Sequence, residues 1–258
     1  MKEFTKKKFN LIMIMTWVCL IALWWIATTS GLVNSQLIPS PKQTWETFLD
    51  IAKNGYNGTS LWGQLGISFY RMFVASFLVI ITAIPLGLLS GYFLPFQAVF
   101  DSLVQFYRPL PPLAYYTLLI LWLGIDDTSK ITLLFLAAFA PIYVACVSAV
   151  SRVNKDYILS GQSLGANRRQ VFFTIIFPAC LPQIFTGVRT AIGVAYTTLV
   201  AAEMVAATSG IGWMVIDASR YLKSDVMFVG IIIMGITGVL LDVLLRQIEK
   251  RVVFWEAE

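Results

Sequence analysis

The feature that most restricts this chain is a series of apolar runs, each about twenty residues long, separated by short segments that hold most of the charge. A helix needs roughly 20 apolar residues to cross ~30 Å of hydrocarbon, and only there do such runs find a matching solvent. Six candidates qualify: Asn10 to Thr29, Met72 to Phe93, Ala98 to Gly124, Ile131 to Val150, Gly187 to Ala207 and Val226 to Leu245. With 58% hydrophobic and 13% charged residues, the chain is too apolar for a soluble domain of 258 residues. The predicted fold class is all-α: a polytopic membrane protein with six transmembrane helices. Pro85 and Pro141 are tolerable inside a bundle, where neighbours shield the freed backbone. Arg108, Pro109, Pro111 and Pro112 break the third run, which predicts a kinked or part-unwound crossing. The fifth run is rich in Ala, Gly and Thr, which allows helices to approach closely.

Lysine and arginine set the topology. Lys2, Lys6, Lys7 and Lys8 precede the first run, which predicts a cytoplasmic N terminus. Six crossings return the C terminus, with Arg246, Lys250 and Arg251, to the same side. The segment with Arg152, Lys155, Arg168 and Arg169 is cytoplasmic by the same count, and the turn Gly124 to Lys130, with Asp126 and Asp127, lies outside. A cleaved leader is the competing reading of residues 1–30; the apolar core is long for one, and no clear cleavage triplet follows. Ser40 to Asn54 spaces Trp45, Phe48, Leu49 and Ala52 by threes and fours, with Pro41 and Thr44 offering a start, and so predicts a short amphipathic helix at the outer surface. It serves either as a membrane-lying strut or as a rim contact for an extracytoplasmic partner. The expected organisation is residues 1–60 as a first span plus this segment, and 61–250 as the core.

The same composition narrows the chemistry. The net charge of +5 arises from basic residues gathered at span ends, so it reads as a topology signal and not as a nucleic-acid surface. There is no His, and Cys19, Cys146 and Cys180 lie in or beside apolar runs without metal-ligand spacing. They read as packing residues, and the sequence offers no metal site or catalytic constellation. No G-x-x-x-x-G-K-[ST] is present, so energy for any transport must come from an ion gradient or another subunit. Glu203 is the carboxylate set deepest in an apolar run, with Asp242 near the end of the last one. A charge at membrane depth costs roughly 2.5 kcal/mol or more unless paired or wetted. Glu203 therefore either faces a passage or pairs internally and fixes helix packing.

Between the fourth and fifth runs lies Ser151 to Pro182, SRVNKDYILSGQSLGANRRQVFFTIIFPACLP, basic and amphipathic. Gly165 permits a turn or a close backbone approach. Two short helices meeting near it would form a blunt knob suited to a groove on another protein; a plain connecting loop leaves the length and apolar content unexplained.

This segment resembles the EAA motif of binding-protein-dependent ABC importer permeases: Glu-Ala-Ala, three residues, Gly, nine residues, Ile, one residue, Leu-Pro. Gly165 takes the Gly position, Ile175 the Ile, and Phe177-Pro178 the end. Leu159, Ser160 and Gly161 stand where the family has Glu-Ala-Ala, so the acidic residue is missing. The resemblance implies that Leu159, Ser160, Gly161, Gln162, Ser163, Leu164, Gly165, Ala166, Arg168 and Arg169 form a coupling helix docked on an ATP-binding subunit. Tyr107 to Ile131, Thr197 to Val215 and Leu37 to Trp45 are similar to the taurine, nitrate and aliphatic sulfonate group of these permeases, the first stretch most of all to its taurine carriers.

That group implies a type I (MetI-like) transmembrane domain, its core formed by the later five spans, in the bacterial cytoplasmic membrane. It further implies two ATP-binding subunits that hold ATP and Mg, a second copy of this chain, and a periplasmic or lipid-anchored binding protein. Taurine or a related small sulfonate is the implied substrate; nitrate or another small anion is the alternative. For such an anion Arg108 and Arg189 are candidates for tuning the passage and Tyr107 and Tyr115 for lining it, while interfacial snorkelling is the plainer reading of both arginines. An ion-coupled transporter using Glu203 remains the rival from another class, without convincing inverted repeats to support it.

Overall fold

The structure is a computed structural model that describes residues 6–31 and 33–256; Lys2 of the basic N-terminal cluster lies outside the described residues. Regular secondary structure among the described residues is helical. Helices α1 (Lys6–Thr29), α2 (Pro41–Asn54), α3 (Leu61–Tyr92), α4 (Leu94–Tyr107), α5 (Pro112–Leu123) and α6 (Asp127–Ser151) are followed by α7 (Lys155–Ser163) and α8 (Arg168–Val171). A π turn (Phe172–Ile176) joins α8 to α9 (Phe177–Ala206), and α10 (Ile211–Arg220) and α11 (Ser224–Val252) complete the chain. Among the described residues, five apolar stretches are long enough to cross a bilayer: Leu11–Thr29, Leu61–Tyr92, Asp127–Ser151, Arg168–Ala206 and Ser224–Val252. The protein is a multi-pass, all-helical membrane protein.

One expectation is met and two change. The third run becomes two helices of 14 and 12 residues, each too short to cross alone, divided at Arg108–Pro111. The second begins well before Met72: Ser60 Oγ accepts the Gly63 N–H at 3.0 Å and starts α3 at Leu61. The amphipathic segment Ser151 to Pro182 is shorter as a loop than its sequence suggests, because helix resumes at Arg168 and runs on to Ala206. Pro178 is the second residue of α9, directly after the π turn, and Pro182 lies inside the same helix. At ~1.5 Å per residue this helix is about 58 Å long, nearly twice the hydrocarbon thickness, so one end must stand clear of it.

The chain divides into two compact units. The first comprises Met1–Gln64 and Met214–Ile233. Within it α1 exposes apolar side chains all round, Trp17 and Leu23 among them, as a helix meant for lipid does. Trp24 Nε1 donates to Pro39 O at 3.0 Å, and its ring stacks on Phe228. Ser40 caps α2 by accepting the Gln43 N–H at 3.2 Å. The helix buries Thr44 and Ile51 while Trp45 and Leu49 stay exposed, so the buried face is rotated from the one its apolar spacing suggests. Asp217 accepts from Tyr56 Oη at 3.0 Å and Asn57 Nδ2 at 2.7 Å. Burial, and then this carboxylate, push the Tyr56 phenol well above its ordinary pKa.

The second unit comprises Leu65–Trp213 and Met234–Glu258, with α6 packed chiefly along α9. Its core joins Val79, Leu134, Ile142, Cys146, Cys180, Ala191 and Leu199. Small residues set the spacing. A Cβ on Gly187 would run into Ala145, and one on Gly87 would meet Cys146 Cβ at 2.6 Å.

Candidate functional site

Two polar regions stand at opposite ends of α6 and α9. The first is an exposed elbow between α7 and α8. Asn154 caps α7 through the Asp156 N–H at 2.9 Å. Its far end closes as a Schellman motif: Gly165 N–H donates to Gln162 O at 2.9 Å and Ala166 N–H to Gly161 O at 3.0 Å. That closure needs Gly165 at φ +84°, a conformation an L side chain rarely adopts. Two residues on, a capping box starts α8: Asn167 Oδ1 accepts the Gln170 N–H at 2.9 Å while Asn167 N–H donates to Gln170 Oε1 at 2.8 Å. The turn is therefore closed from both sides.

Packing anchors the elbow to its own unit. Ile158, Ala166, Val171 and Ile175 join the core, and a Cβ on Gly161 would meet Ile175 Cδ1 at 2.6 Å. Leu159 and Leu164 point the other way, 58% and 89% exposed, beside exposed Ser160, Gln162, Ser163, Arg168 and Arg169. Apolar tips among polar ones on a rigid turn suit a protein groove.

The second region is buried. Glu203, 1% exposed near the end of α9, accepts from Ser68 Oγ at 2.8 and 3.0 Å, Arg71 Nη1 at 2.8 Å and the Gly212 N–H at 2.9 Å. Arg71, 3% exposed, also donates from Nε to Asp127 Oδ1 at 2.7 Å and from Nη1 to Ser209 O at 2.9 Å. Ser68 Oγ in turn accepts the Ile211 N–H at 3.1 Å. Two of the N–H groups that open α10 are thus satisfied, one by a carboxylate placed where the helix dipole favours negative charge. Glu203 is thus paired internally, from α3 and from the start of α10.

The remaining predicted residues lie apart. Arg189 on α9 donates to Asp242 Oδ1 at 3.2 Å and Glu249 Oε2 at 3.3 Å, and Arg246 bonds Asp242 Oδ2 at 2.7 Å. The set balances two cations with two anions, and Arg189 and Asp242 border a cavity of about 80 Å³ with Gly193 and Tyr196. Arg108 ends α4, exposed; Tyr107 beside it and Tyr115 on α5 are half-buried. Among the described residues no cluster of three or more His, Cys, Asp or Glu could hold a metal ion.

Sequence reasoning missed Arg71, Ser68 and Lys130. Lys130, 2% exposed, folds back onto Ile125 O at 2.6 Å. A usable signal existed: Ser68 and Arg71 are three apart, on one face of any helix that begins early enough to hold both.

Residues 83–254 match the family described as binding-protein-dependent transport system inner membrane component. The chain is 39% identical to the taurine transport system permease protein TauC of Escherichia coli K12, over 94% of this chain and 89% of that one. It is 32% identical to the putative aliphatic sulfonates transport permease protein SsuC of Bacillus subtilis 168, over 92% and 84%. Among solved structures, an inward-facing conformation of the MetNI methionine ABC transporter overlays with TM-score 0.63 at 17% identity, over 72% of this chain and 93% of that one.

Proposed function

The chain belongs to the family of binding-protein-dependent transport system inner membrane components, and from that premise we propose that it is the permease of an ATP-driven importer for taurine or a related small sulfonate. The permease itself is not an enzyme. Two ATP-binding subunits carry ATP and Mg, two copies of this chain enclose the passage, and a binding protein delivers substrate from outside. The observation that carries the reading is the elbow, a turn closed by a Schellman motif and a capping box that presents Leu159 and Leu164 to solvent. It is a rigid part, suited to receive motion from a partner.

In this reading the elbow, the N terminus and the C terminus are cytoplasmic, and α4 with α5 counts as the third crossing. The two ATP-binding subunits draw together on binding ATP, and residues Leu159 to Arg169 carry that closure into α6 and α9. The partner must hold the elbow more tightly in one state than the other, since contact of equal strength shifts nothing. Arg108, Tyr107, Tyr115 and Arg189 line or tune the anion's passage.

Reconstitution tests the assignment. With the ATP-binding subunits and binding protein in liposomes, labelled taurine should accumulate only with ATP, and excess alkanesulfonate should compete. Accumulation by the permease alone would overturn the ATP-driven reading; competition by nitrate but not by alkanesulfonates would move the substrate to the inorganic anions.

A further inference from the structure

We propose that Arg71 and Glu203 are positioning residues that, through Ser68, hold the corner Ser209 to Gly212 against α3 and α9 as one block that stays closed throughout transport. Neither charge meets substrate or carries a coupling proton. The proposal rests on the chain being a transport permease but not on which anion it carries.

The geometry supports closure in three ways. Glu203 is engaged from α3 by Ser68 and Arg71 and from α10 by the Gly212 N–H, so opening would strand a buried carboxylate and a buried guanidinium together. The corner also has little room to shift. Gly210 sits at φ +115°, and a Cβ there would run into the Glu203 carboxylate; one on Gly212 would meet Val200 O at 2.6 Å. Finally, the cavity beside Glu203, lined by Leu65, Ser68, Tyr196 and Met234 among others, measures about 10 Å³. That is at the lower limit for one water and excludes a sulfonate. Arg71 also reaches Asp127, whose side chain is 45% exposed, which ties the block to the first turn of α6.

Thiol accessibility tests closure directly. In a Cys19→Ser background, with the ATP-binding subunits attached, Ser68→Cys should resist a small maleimide both without nucleotide and in the ATP–vanadate-trapped state, while Asn57→Cys reacts as the exposed control. Reaction of Ser68→Cys in either state would overturn the proposal. A charge cycle tests positioning even if the cysteine variant does not assemble. R71Q and E203Q should each lower the maximal uptake rate by about tenfold or more, and the R71Q/E203Q double variant should recover at least about fivefold over the worse single, with KM unchanged. A double variant no better than the singles, or a shifted KM, would mean that one of the charges meets substrate or a proton. Failure of taurine uptake in the wild type, with Ser68→Cys still protected in both states, would count against the substrate and leave the block standing.

Discussion

The buried block at Glu203 and the exposed elbow at Gly165 each turn on a glycine at positive φ, yet each needs it for a different reason. At Gly210 the backbone conformation and the space are both demanded, since the Glu203 carboxylate occupies the place a Cβ would take. At Gly165 only the conformation is demanded: φ is +84° and nothing lies within 4 Å of where a Cβ would stand. One glycine is part of a packed interior, the other part of a presented shape. Damage at the first should therefore cost the protein its fold, and damage at the second only its communication.

Substitutions can break that contrast. The largest effect is expected from Gly210→Val, where strain and overpacking add to about 3 kcal/mol or more; thermal unfolding in detergent should fall by several degrees and little complex should assemble. An unchanged unfolding temperature would erase the difference between the two glycines. Gly165→Val comes next. It should carry about 1–2 kcal/mol of backbone strain confined to the elbow, leave membrane levels near normal, and uncouple ATP hydrolysis from uptake. Normal taurine uptake by this variant would remove the docking role. Asn167→Ala is the mildest, losing one side of the capping box for about 1 kcal/mol, with uptake reduced a fewfold and unfolding almost unmoved.

Much of this contrast is legible in sequence, but unevenly. Most of the crossings announce themselves because lipid demands uninterrupted apolar length. The elbow does so because Gly165, Asn167 and Gln170 have the spacing that a helix stop and restart require. Glu203 is conspicuous as a carboxylate among alanines. Its partner is not: Arg71 sits at the edge of an apolar run and reads as a boundary until Ser60 is seen to cap a helix that begins at Leu61, ten residues before it. Pro178 and Pro182 mislead in the other direction, since prolines that would stop a regular helix are carried through just after a π turn. These are tertiary and phase effects, which local spacing does not encode.

That π turn also makes the heading of the elbow a matter of counting. Phe177 N–H returns to Phe172 O, five residues back instead of four, so Phe172–Ile176 holds one residue more than a regular helix would. Each residue of an α-helix is about 100° of rotation. Deleting one residue from this stretch would leave composition and apolar content almost untouched and turn the elbow by roughly a quarter of a revolution about the axis of α9. Leu159 and Leu164 would then face a different compass bearing, and the permease would address its partner with the wrong side.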